Sequence, residues 1–282
     1  DALMIKDYPV EEVKTMQKRP DYKSSPKLGI SYIDINNDLE EFKDPKVRQA
    51  LSLALDRKYM ADTITAGINS PATGFIPDGV VDWDGSAWAD NITDKSVYFD
   101  NDNFDANLAK AKELLAEAGH PNGEGLPTMS YTTNDAGLNK KVAEYLQQAW
   151  KELGINVEVN IVEWKSFIPQ RRSGNYQIAR DGWVMDYNDP SNLLECAYST
   201  NGNNSSRYKN PEFDALLDKA AQESDAKTRF GYFHQAEELL LKDAGVIPLM
   251  YQNETYLQSD KIKDSFYTSD GIWHFEYADI AE

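Results

Sequence analysis

Hydrophobic and polar residues follow two alternating patterns along the chain. A period of two predicts strands, and a spacing of three to four residues predicts amphipathic helices. The predicted strands cover residues 28–36, 129–133, 156–162, 177–183 and 246–257. The predicted helices begin near Asp44, Asp105, Leu138, Lys165, Pro190, Asn210 and Asp225. Because helices and strands alternate through most of the sequence, the pattern indicates an α/β fold.

Capping residues mark the ends of several predicted helices. Asp44 and Pro45 have the residue types of an N-cap and a first helical position, and Gly67 is expected to end that helix. Asp105 is expected to cap a second helix, which ends at Gly119. Between these helices, residues 69–103, here called the irregular segment, are rich in Pro, Gly and Asp. We expect this segment to lie against the surface of a neighbouring element.

Composition narrows the class of protein. The chain has 282 residues, of which 41% are hydrophobic and 27% charged, a composition typical of globular proteins with one large or two ordinary domains. Its formal net charge of −18 disfavours nucleic acids and anionic membrane surfaces as partners. The sequence contains no run of 18 apolar residues. It has a single cysteine, Cys196, which cannot form an internal disulfide.

Catalytic and metal-binding motifs are missing from the sequence. There is no G-x-S-x-G elbow, H-E-x-x-H helix or glycine-rich phosphate loop. The three histidines, His120, His234 and His274, are far apart in the sequence, so we expect neither a metal site nor a cofactor. Asp186 and Asp189 are close enough to suggest the carboxylate pair of a glycoside hydrolase. Their position on a turn before Pro190 instead favours one ligand-binding residue and one helix cap.

Three stretches carry a family resemblance. They are FKDPKVRQALSLALDR at residues 42–57, AKAKELLAEAG at 109–119, and WKSF at 164–167 followed by GWVMDYNDP at 182–190. In order and spacing they resemble the peptide- and nickel-binding family, family 5, of ABC-transporter solute-binding proteins, and within it the oligopeptide-binding branch. The resemblance extends over nearly the whole chain, as the C-terminal half or so of a full-length member.

The resemblance implies a fold of the periplasmic-binding-protein type (type II, cluster C), a mixed sheet flanked by helices. In this family two lobes close over the ligand like a hinged clamp. We expect residues 1–37 to form a segment of the first lobe and a hinge strand, 38–246 the second lobe, and 247–282 a second hinge strand returning to the first lobe. Most of the first lobe, a signal peptide and any lipid-attachment cysteine are expected outside this chain.

The resemblance also implies ligand-binding residues. The aspartate of the family motif, here Asp186, receives the α-ammonium of a bound peptide, although a turn aspartate that caps the next helix has the same local pattern. Tryptophans corresponding to Trp164 and Trp183 help form pockets for peptide side chains, and the alternative for both is the core. Met185 and Tyr187 flank Asp186 in the motif.

Two arginines and a tyrosine complete the predicted site. Arg171 and Arg180 lie where relatives place basic residues near the ligand, some of which meet the peptide's C-terminal carboxylate. The alternative for these arginines is pairing with Asp181, Glu163 or Asp186. Tyr251, on the last long strand, is a candidate for the cleft, with core packing as its alternative.

The expected function is that of a substrate-binding component of an ABC importer, with no enzymatic activity. Such a protein captures short oligopeptides outside the cytoplasmic membrane, in the periplasm or lipid-anchored at the cell surface, and delivers them to the permease subunits. We expect a monomer. The alternatives are a family member for another small ligand (a dipeptide, nickel chelate, haem or sugar), a peptide-pheromone receptor, and the glycoside hydrolase already mentioned.

Overall fold

The computed structural model describes residues 3–6 and 8–281. The strands of the main sheet are β1 (Met4–Ile5), β2 (Tyr22–Ile35), β3 (Ser70–Pro71), β4 (Met129–Asn134), β5 (Val157–Val162), β6 (Ile178–Val184) and β7 (Val246–Gln258). Short strands follow near the C-terminus: β8 (Ile262–Lys263), β9 (Phe266–Tyr267), β10 (Trp273–His274) and β11 (Asp279–Ile280). The α-helices are α1 (Val13–Met16), α2 (Pro45–Leu53), α3 (Arg57–Tyr59), α4 (Phe104–Glu117), α5 (Gly137–Lys151), α6 (Trp164–Ser173), α7 (Ser191–Leu194), α8 (Pro211–Gln222) and α9 (Ala226–Lys242). None of the helices in the described ranges combines the length and apolar character needed to cross a membrane.

The main sheet is mixed, and its strand order is β1-β7-β2-β6-β4-β5, with β3 pairing outside this order with β7. Strand β4 runs parallel to β5 and β6, whereas β2 runs antiparallel to β6 and β7. Parallel pairs need a crossover connection, and α5 and α6 supply it on either side of β5. The predicted α/β fold with a mixed sheet and flanking helices is confirmed.

Alternation of side chains along β2 separates two hydrophobic cores. Leu28, Ile30 and Tyr32 lie in one core, together with apolar residues of α8 and α9. Ile33 and Ile35 lie in the other core, together with residues of α2, α4 and α5. Since successive side chains of a strand point to opposite faces, β2 places helices on both faces of the sheet. Both faces of its C-terminal half are therefore buried.

The predicted helix from Asp44 to Gly67 is wrong in its extent. Its start is as expected, because the Asp44 carboxylate accepts a hydrogen bond from the Lys46 main chain at 2.8 Å. However, α2 ends at Leu53, and the short α3 and a π-helical turn follow. The buried Arg57 guanidinium donates to the Ser52 and Pro248 carbonyl oxygens, at 3.1 and 2.9 Å. This side chain takes a carbonyl that a continuous α-helix would use.

Two other boundaries differ from the prediction. Helix α4 begins at Phe104 with Asn103 as its N-cap residue, so Asp105 lies in the first turn and does not cap the helix. A carboxylate there still faces the positive end of the helix dipole. Strand β2 begins at Tyr22, six residues before the predicted start, because its polar N-terminal part pairs with Asn253–Leu257 of β7. Hydrogen bonding to the neighbouring strand, not side-chain burial, extends this strand.

A buried carboxylate holds the irregular segment in place. Glu237 of α9 is fully buried, and its Oε1 accepts hydrogen bonds from the Phe75 and Ile76 main-chain N–H groups, both at 2.7 Å. Its Oε2 accepts from Trp88 Nε1 and Tyr98 Oη, also at 2.7 Å. One side chain of α9 thus contacts the irregular segment at three separated points, as expected for a segment that lies against a neighbouring element.

Candidate functional site

The motif that contains Asp186 lies at the end of β6. The Met185 N–H donates to the Leu28 carbonyl oxygen at 2.7 Å, which continues the β2–β6 pairing by one residue. The Met185 side chain is buried in the core shared with α8 and α9. Asp186 follows with an exposed side chain, and Tyr187 is 49% exposed. The end of β6 therefore presents the Asp186 carboxylate to solvent beside a tyrosine ring.

Asn192, in α7, joins two of the predicted residues. Its Oδ1 accepts hydrogen bonds from the Trp183 indole Nε1 at 2.9 Å and from the Asp186 main-chain N–H at 3.1 Å. Its Nδ2 donates to Asp186 Oδ2 at 3.4 Å. Asn192 does not stand out in the sequence, because an asparagine after Ser191 matches an ordinary helix start. Its position six residues after Asp186 was the one signal in the sequence that could have indicated a role in the site.

Strand β6 has a free edge next to this motif. Strand β4 pairs with β6 only at Ile178 and Ala179. From Arg180 to Val184, β2 is the only strand in the described part of the chain that pairs with β6. The side of β6 that faces away from β2 is thus without a strand partner over these residues. Such an edge can accept an extended chain as an additional strand.

A polar cleft of about 260 Å³ lies at the Arg180 end of this edge. Its polar lining includes Ser31, Asn69, Asn139, Gln252 and Asn253. Arg180 also lines the cleft, and within residues 3–6 and 8–281 its guanidinium forms no ion pair and donates no hydrogen bond. Burial lowers the pKa of this guanidinium. A half-buried cation among amide groups is suited to receive a carboxylate.

Arg171 has protein partners. Its Nη1 forms an ion pair with the Asp181 carboxylate and also donates to the Arg180 carbonyl oxygen at 3.3 Å. Its Nε lies 4.0 Å from Asp34 Oδ2. Asp34 and Asp181 are only 1% and 3% exposed, and burial together with the neighbouring Asp181 raises the pKa of Asp34 well above its ordinary value. Pairing with Asp181 was the alternative considered for Arg171.

The remaining predicted residues lie in different surroundings. Trp164 begins α6, is 49% exposed, and stacks on Phe167 with ring centroids 6.0 Å apart. Tyr251 is buried on β7, where its hydroxyl accepts from the Gly74 N–H at 2.9 Å. Its neighbours on β7, Met250 and Gln252, line the polar cleft, whereas Tyr251 does not. Tyr251 therefore contacts the irregular segment and the core.

Asp189 has two structural partners. Its Oδ1 accepts from the Ser191 N–H at 3.0 Å, and its carboxylate forms paired hydrogen bonds with Arg229 at 2.7 and 3.0 Å. Asp189 therefore caps the turn into α7, as expected, and its charge is matched by Arg229. In the part of the chain that the structure describes, no three or more His, Cys, Asp or Glu side chains are grouped to hold a metal ion.

Together these features define a class: an α/β lobe in which a strand edge without a strand partner lies beside a polar cleft. An exposed carboxylate lies at one end of the edge, and a half-buried guanidinium without an ion-pair partner among the described residues lies at the other. Extended chains carry donors and acceptors that match such an edge, and the two charges favour a ligand with opposite charges at its ends.

Comparisons with known proteins agree with this class. The family model of the bacterial extracellular solute-binding proteins, family 5 (middle part), matches residues 1–205. The dipeptide-binding protein DppE of Bacillus subtilis is 31% identical over 237 residues, which are 83% of this chain and 42% of DppE. The oligopeptide-binding protein OppA of the same organism is 30% identical over 274 residues, which are 96% of this chain and 48% of OppA. The crystal structure of Haemophilus influenzae OppA in complex with the peptide RPPGFSPFR superposes with a TM-score of 0.79 at 26% identity, covering 99% of this chain and 54% of that one.

The chain belongs to family 5 of the bacterial extracellular solute-binding proteins. It spans about half the length of the relatives it matches.

Proposed function

We propose that this chain forms the ligand-binding lobe of an oligopeptide-binding component of an ABC importer. The observation that carries the proposal is the free edge of β6, with an exposed Asp186 at one end and at the other Arg180, which is unpaired within residues 3–6 and 8–281. In the proposed mode, the peptide lies extended along residues 180–184 and hydrogen-bonds to the main-chain groups that Arg171 and Asp181 leave free. Main-chain bonding makes recognition independent of the peptide's sequence.

The charged groups recognise the two ends of the peptide. Asp186 receives the α-ammonium, and a charge-assisted hydrogen bond of this kind contributes about 1.5–3 kcal/mol, against about 1 kcal/mol for a neutral one. Arg180 receives the C-terminal carboxylate through its planar fork of donors. Six residues of extended chain separate the two positions, a distance of about 20 Å. This spacing favours peptides of a few residues.

Aromatic residues near the edge supply side-chain contacts. Trp183 is half-buried beside Asp186, and Tyr187 and Trp164 are each 49% exposed, so all three have ring surface available to a ligand. Arg171 supports the site indirectly in this proposal, because it pairs with Asp181 and hydrogen-bonds to the Arg180 carbonyl. Met185 and Tyr251 support it from the core. Loose, water-filled contacts would let different peptide side chains fit.

The ends of the chain are proposed to belong to a first lobe. The pairing of strands β2 and β7 has an irregular register between Pro26 and Ile30 and a second shift between Ser31 and Tyr32. Beyond the first irregularity, residues 22–27 are largely exposed or half-buried, unlike the buried residues from Leu28 onward. Apolar residues of the C-terminal segment are also exposed, among them Phe266 and Ile272. We place residues 1–37 and 247–282 in hinge strands and first-lobe segments, and 38–246 in the second lobe.

The proposal includes a location and partners. The protein acts outside the cytoplasmic membrane, as a monomer, in the periplasm or held at the surface by a lipid anchor, and it delivers peptides to permease subunits. It binds without converting its ligand, so a bound peptide is recovered unchanged. The net charge of −18 suits a protein that remains monomeric and dissolved.

The test is a calorimetric titration of the full-length protein with a mixed peptide pool, free or N-acetylated. Free peptides are expected to bind, and acetylated peptides to bind at least about tenfold more weakly, because acetylation removes the charge that Asp186 receives. Asp186→Ala should lower the affinity for free peptides and leave the affinity for acetylated peptides unchanged. Glu195→Ala is the matched control, since Glu195 is another exposed carboxylate a few residues away.

Each other outcome points to an alternative. Binding of neither form would overturn the peptide proposal and direct the search to haem, nickel chelates and sugars. One peptide bound far more tightly than the pool would indicate a pheromone receptor. Cleaved product would indicate an enzyme. Equal losses in Asp186→Ala and Glu195→Ala would refute the role of Asp186.

A further inference from the structure

Asn192 joins Asp186 and Trp183, the two residues proposed to receive the amino-terminal end of a peptide. Its side-chain amide is the shared hydrogen-bonding partner of the Trp183 indole, the Asp186 main chain and the Asp186 carboxylate, at 2.9, 3.1 and 3.4 Å. It is 8% exposed, whereas Asp186 is exposed. The buried Asn192 amide thus holds the exposed Asp186 carboxylate in place. The hydrogen-bonding groups of an amide explain why neither a hydroxyl nor a carboxylate is in this position.

An asparagine amide has the required set of groups on a side chain long enough to reach all three partners. The amide oxygen has two acceptor sites, and here they serve the two N–H donors of Trp183 and Asp186. The amide nitrogen has donors, and one faces Asp186 Oδ2. A carboxylate at residue 192 would face Asp186 with a second negative charge, and a serine hydroxyl has one proton to donate on a shorter side chain. The arrangement leaves Asp186 Oδ1 available to a ligand.

Asn192 is itself connected to helix α9. Its main-chain N–H donates to the Asp189 carbonyl oxygen at 3.0 Å, and the Asp189 carboxylate forms paired hydrogen bonds with Arg229 of α9. The Arg229 guanidinium also lies over the Phe233 ring, 4.7 Å from its centroid. The position of Asn192 is therefore tied through Asp189 to the packed helix α9. Rigid support of this kind is what precise ligand orientation requires.

We infer that Asn192 is a positioning residue that orients the Asp186 carboxylate and the Trp183 ring together, so that a ligand's ammonium and its first side chain are received as one unit. This inference rests on the proposed function. It concerns selectivity for a free amino terminus more than overall affinity. Loss of Asn192 should release Asp186 to rotate and leave the Trp183 N–H without its acceptor.

The test is a double-mutant cycle in the full-length protein with one free peptide and its N-acetylated form. The measured quantity is the dissociation constant of the acetylated peptide divided by that of the free peptide. Asn192→Ala is expected to reduce this ratio about tenfold, because only the free peptide loses the oriented Asp186 carboxylate, whereas a loss through the Trp183 ring weakens both peptides and leaves the ratio unchanged. In the background of Asp186→Asn, which removes the charge, Asn192→Ala should change the ratio no further, because the two residues act through the same contact.

Asn204→Ala is the matched control for loss of a buried amide. Asn204 is 7% exposed and donates to the Tyr198 and Tyr208 carbonyl oxygens at 3.1 and 2.8 Å. It should lower the melting temperature as Asn192→Ala does, without altering the ratio. If Asn192→Ala does not fold, side-chain NMR of the unmodified protein replaces it. The Asn192 amide and Trp183 indole signals should then shift together with free peptide, and much less with acetylated peptide.

The outcomes separate this inference from the proposed function. If the unmodified protein does not distinguish free from acetylated peptide, the proposed function fails first. If it does distinguish them, but Asn192→Ala weakens both forms equally, Asn192 is only structural and the inference is wrong. Additive effects of the two substitutions on the ratio would also overturn it, as would NMR signals of Asn192 that do not respond to free peptide.

Discussion

Glu237→Ala should be among the most destabilising substitutions in this chain. Glu237 is fully buried and accepts four hydrogen bonds, each at 2.7 Å, from the Phe75 and Ile76 main chain and the Trp88 and Tyr98 side chains. An unsatisfied buried donor costs about 1–3 kcal/mol. Summed over four donors this would exceed the stability of many domains, but two effects reduce it.

The first effect is access for water. A cavity of about 190 Å³ is lined by Glu237, Trp88 and Tyr98, so water can replace part of the missing carboxylate. The second is the cost of burying the charge, several kcal/mol, which the substitution removes. Together they bring the expected loss of unfolding free energy to about 3–4 kcal/mol. Glu237→Gln should lose about 1–2 kcal/mol, because its amide nitrogen cannot accept from the Trp88 indole N–H.

The assay is equilibrium urea unfolding followed by tryptophan fluorescence. Glu238→Ala is the matched control, because Glu238 is the adjacent glutamate on α9 and accepts a single hydrogen bond, from the Asp94 N–H at 3.1 Å. It should cost less than about 1 kcal/mol. Hydrogen exchange should also show faster exchange at the Phe75 and Ile76 amides in Glu237→Ala alone. A loss below about 1 kcal/mol, or equal losses in the two variants, would refute the assignment of Glu237 as the anchor of the irregular segment.

Further predictions concern pH and backbone geometry. Because burial and Asp181 raise the pKa of Asp34, the folded state holds this proton more strongly than the unfolded chain does, so its stabilising contribution is present below about pH 4 and is lost as pH rises. Asp34→Asn cannot lose a proton, so its stability relative to the unmodified chain should increase from pH 4.5 to pH 8 in urea unfolding; parallel profiles would contradict this. Gly154 has φ +77°, and a Cβ there would lie 1.9 Å from the Asn122 carbonyl oxygen, whereas Gly119, at φ +89°, has open space around the same position. Thermal unfolding should therefore show a cost of about 1–2 kcal/mol for Gly119→Ala and at least about 2 kcal/mol more for Gly154→Ala; similar costs would show that the main chain near residue 122 yields easily.

The sequence by itself determined the features that depend on neighbouring residues. Alternation of apolar side chains identified β5, and a polar residue before an apolar run identified the starts of helices. Asn210 and Asp225 cap α8 and α9 through hydrogen bonds to N–H groups two or three residues ahead. Such contacts form within one helical turn, so their residue types are visible in any short window of sequence. The motif around Asp186 is likewise continuous, which is why it carried the family resemblance.

Only the tertiary structure decided the features in which distant residues compete for one partner. Arg57 takes the Ser52 carbonyl at the end of α2 while its Nε donates to the Pro248 carbonyl, 191 positions away in the chain. Arg171 pairs with Asp181, while Arg180 stays unpaired in the described part of the chain, although both are arginines near the same strand. Asn192 joins Trp183 to Asp186 because α9 fixes α7 behind them. Residue types showed which groups could form these contacts, but packing of the sheet and helices determined which of them did, because a buried polar group takes the partner that the fold brings within reach.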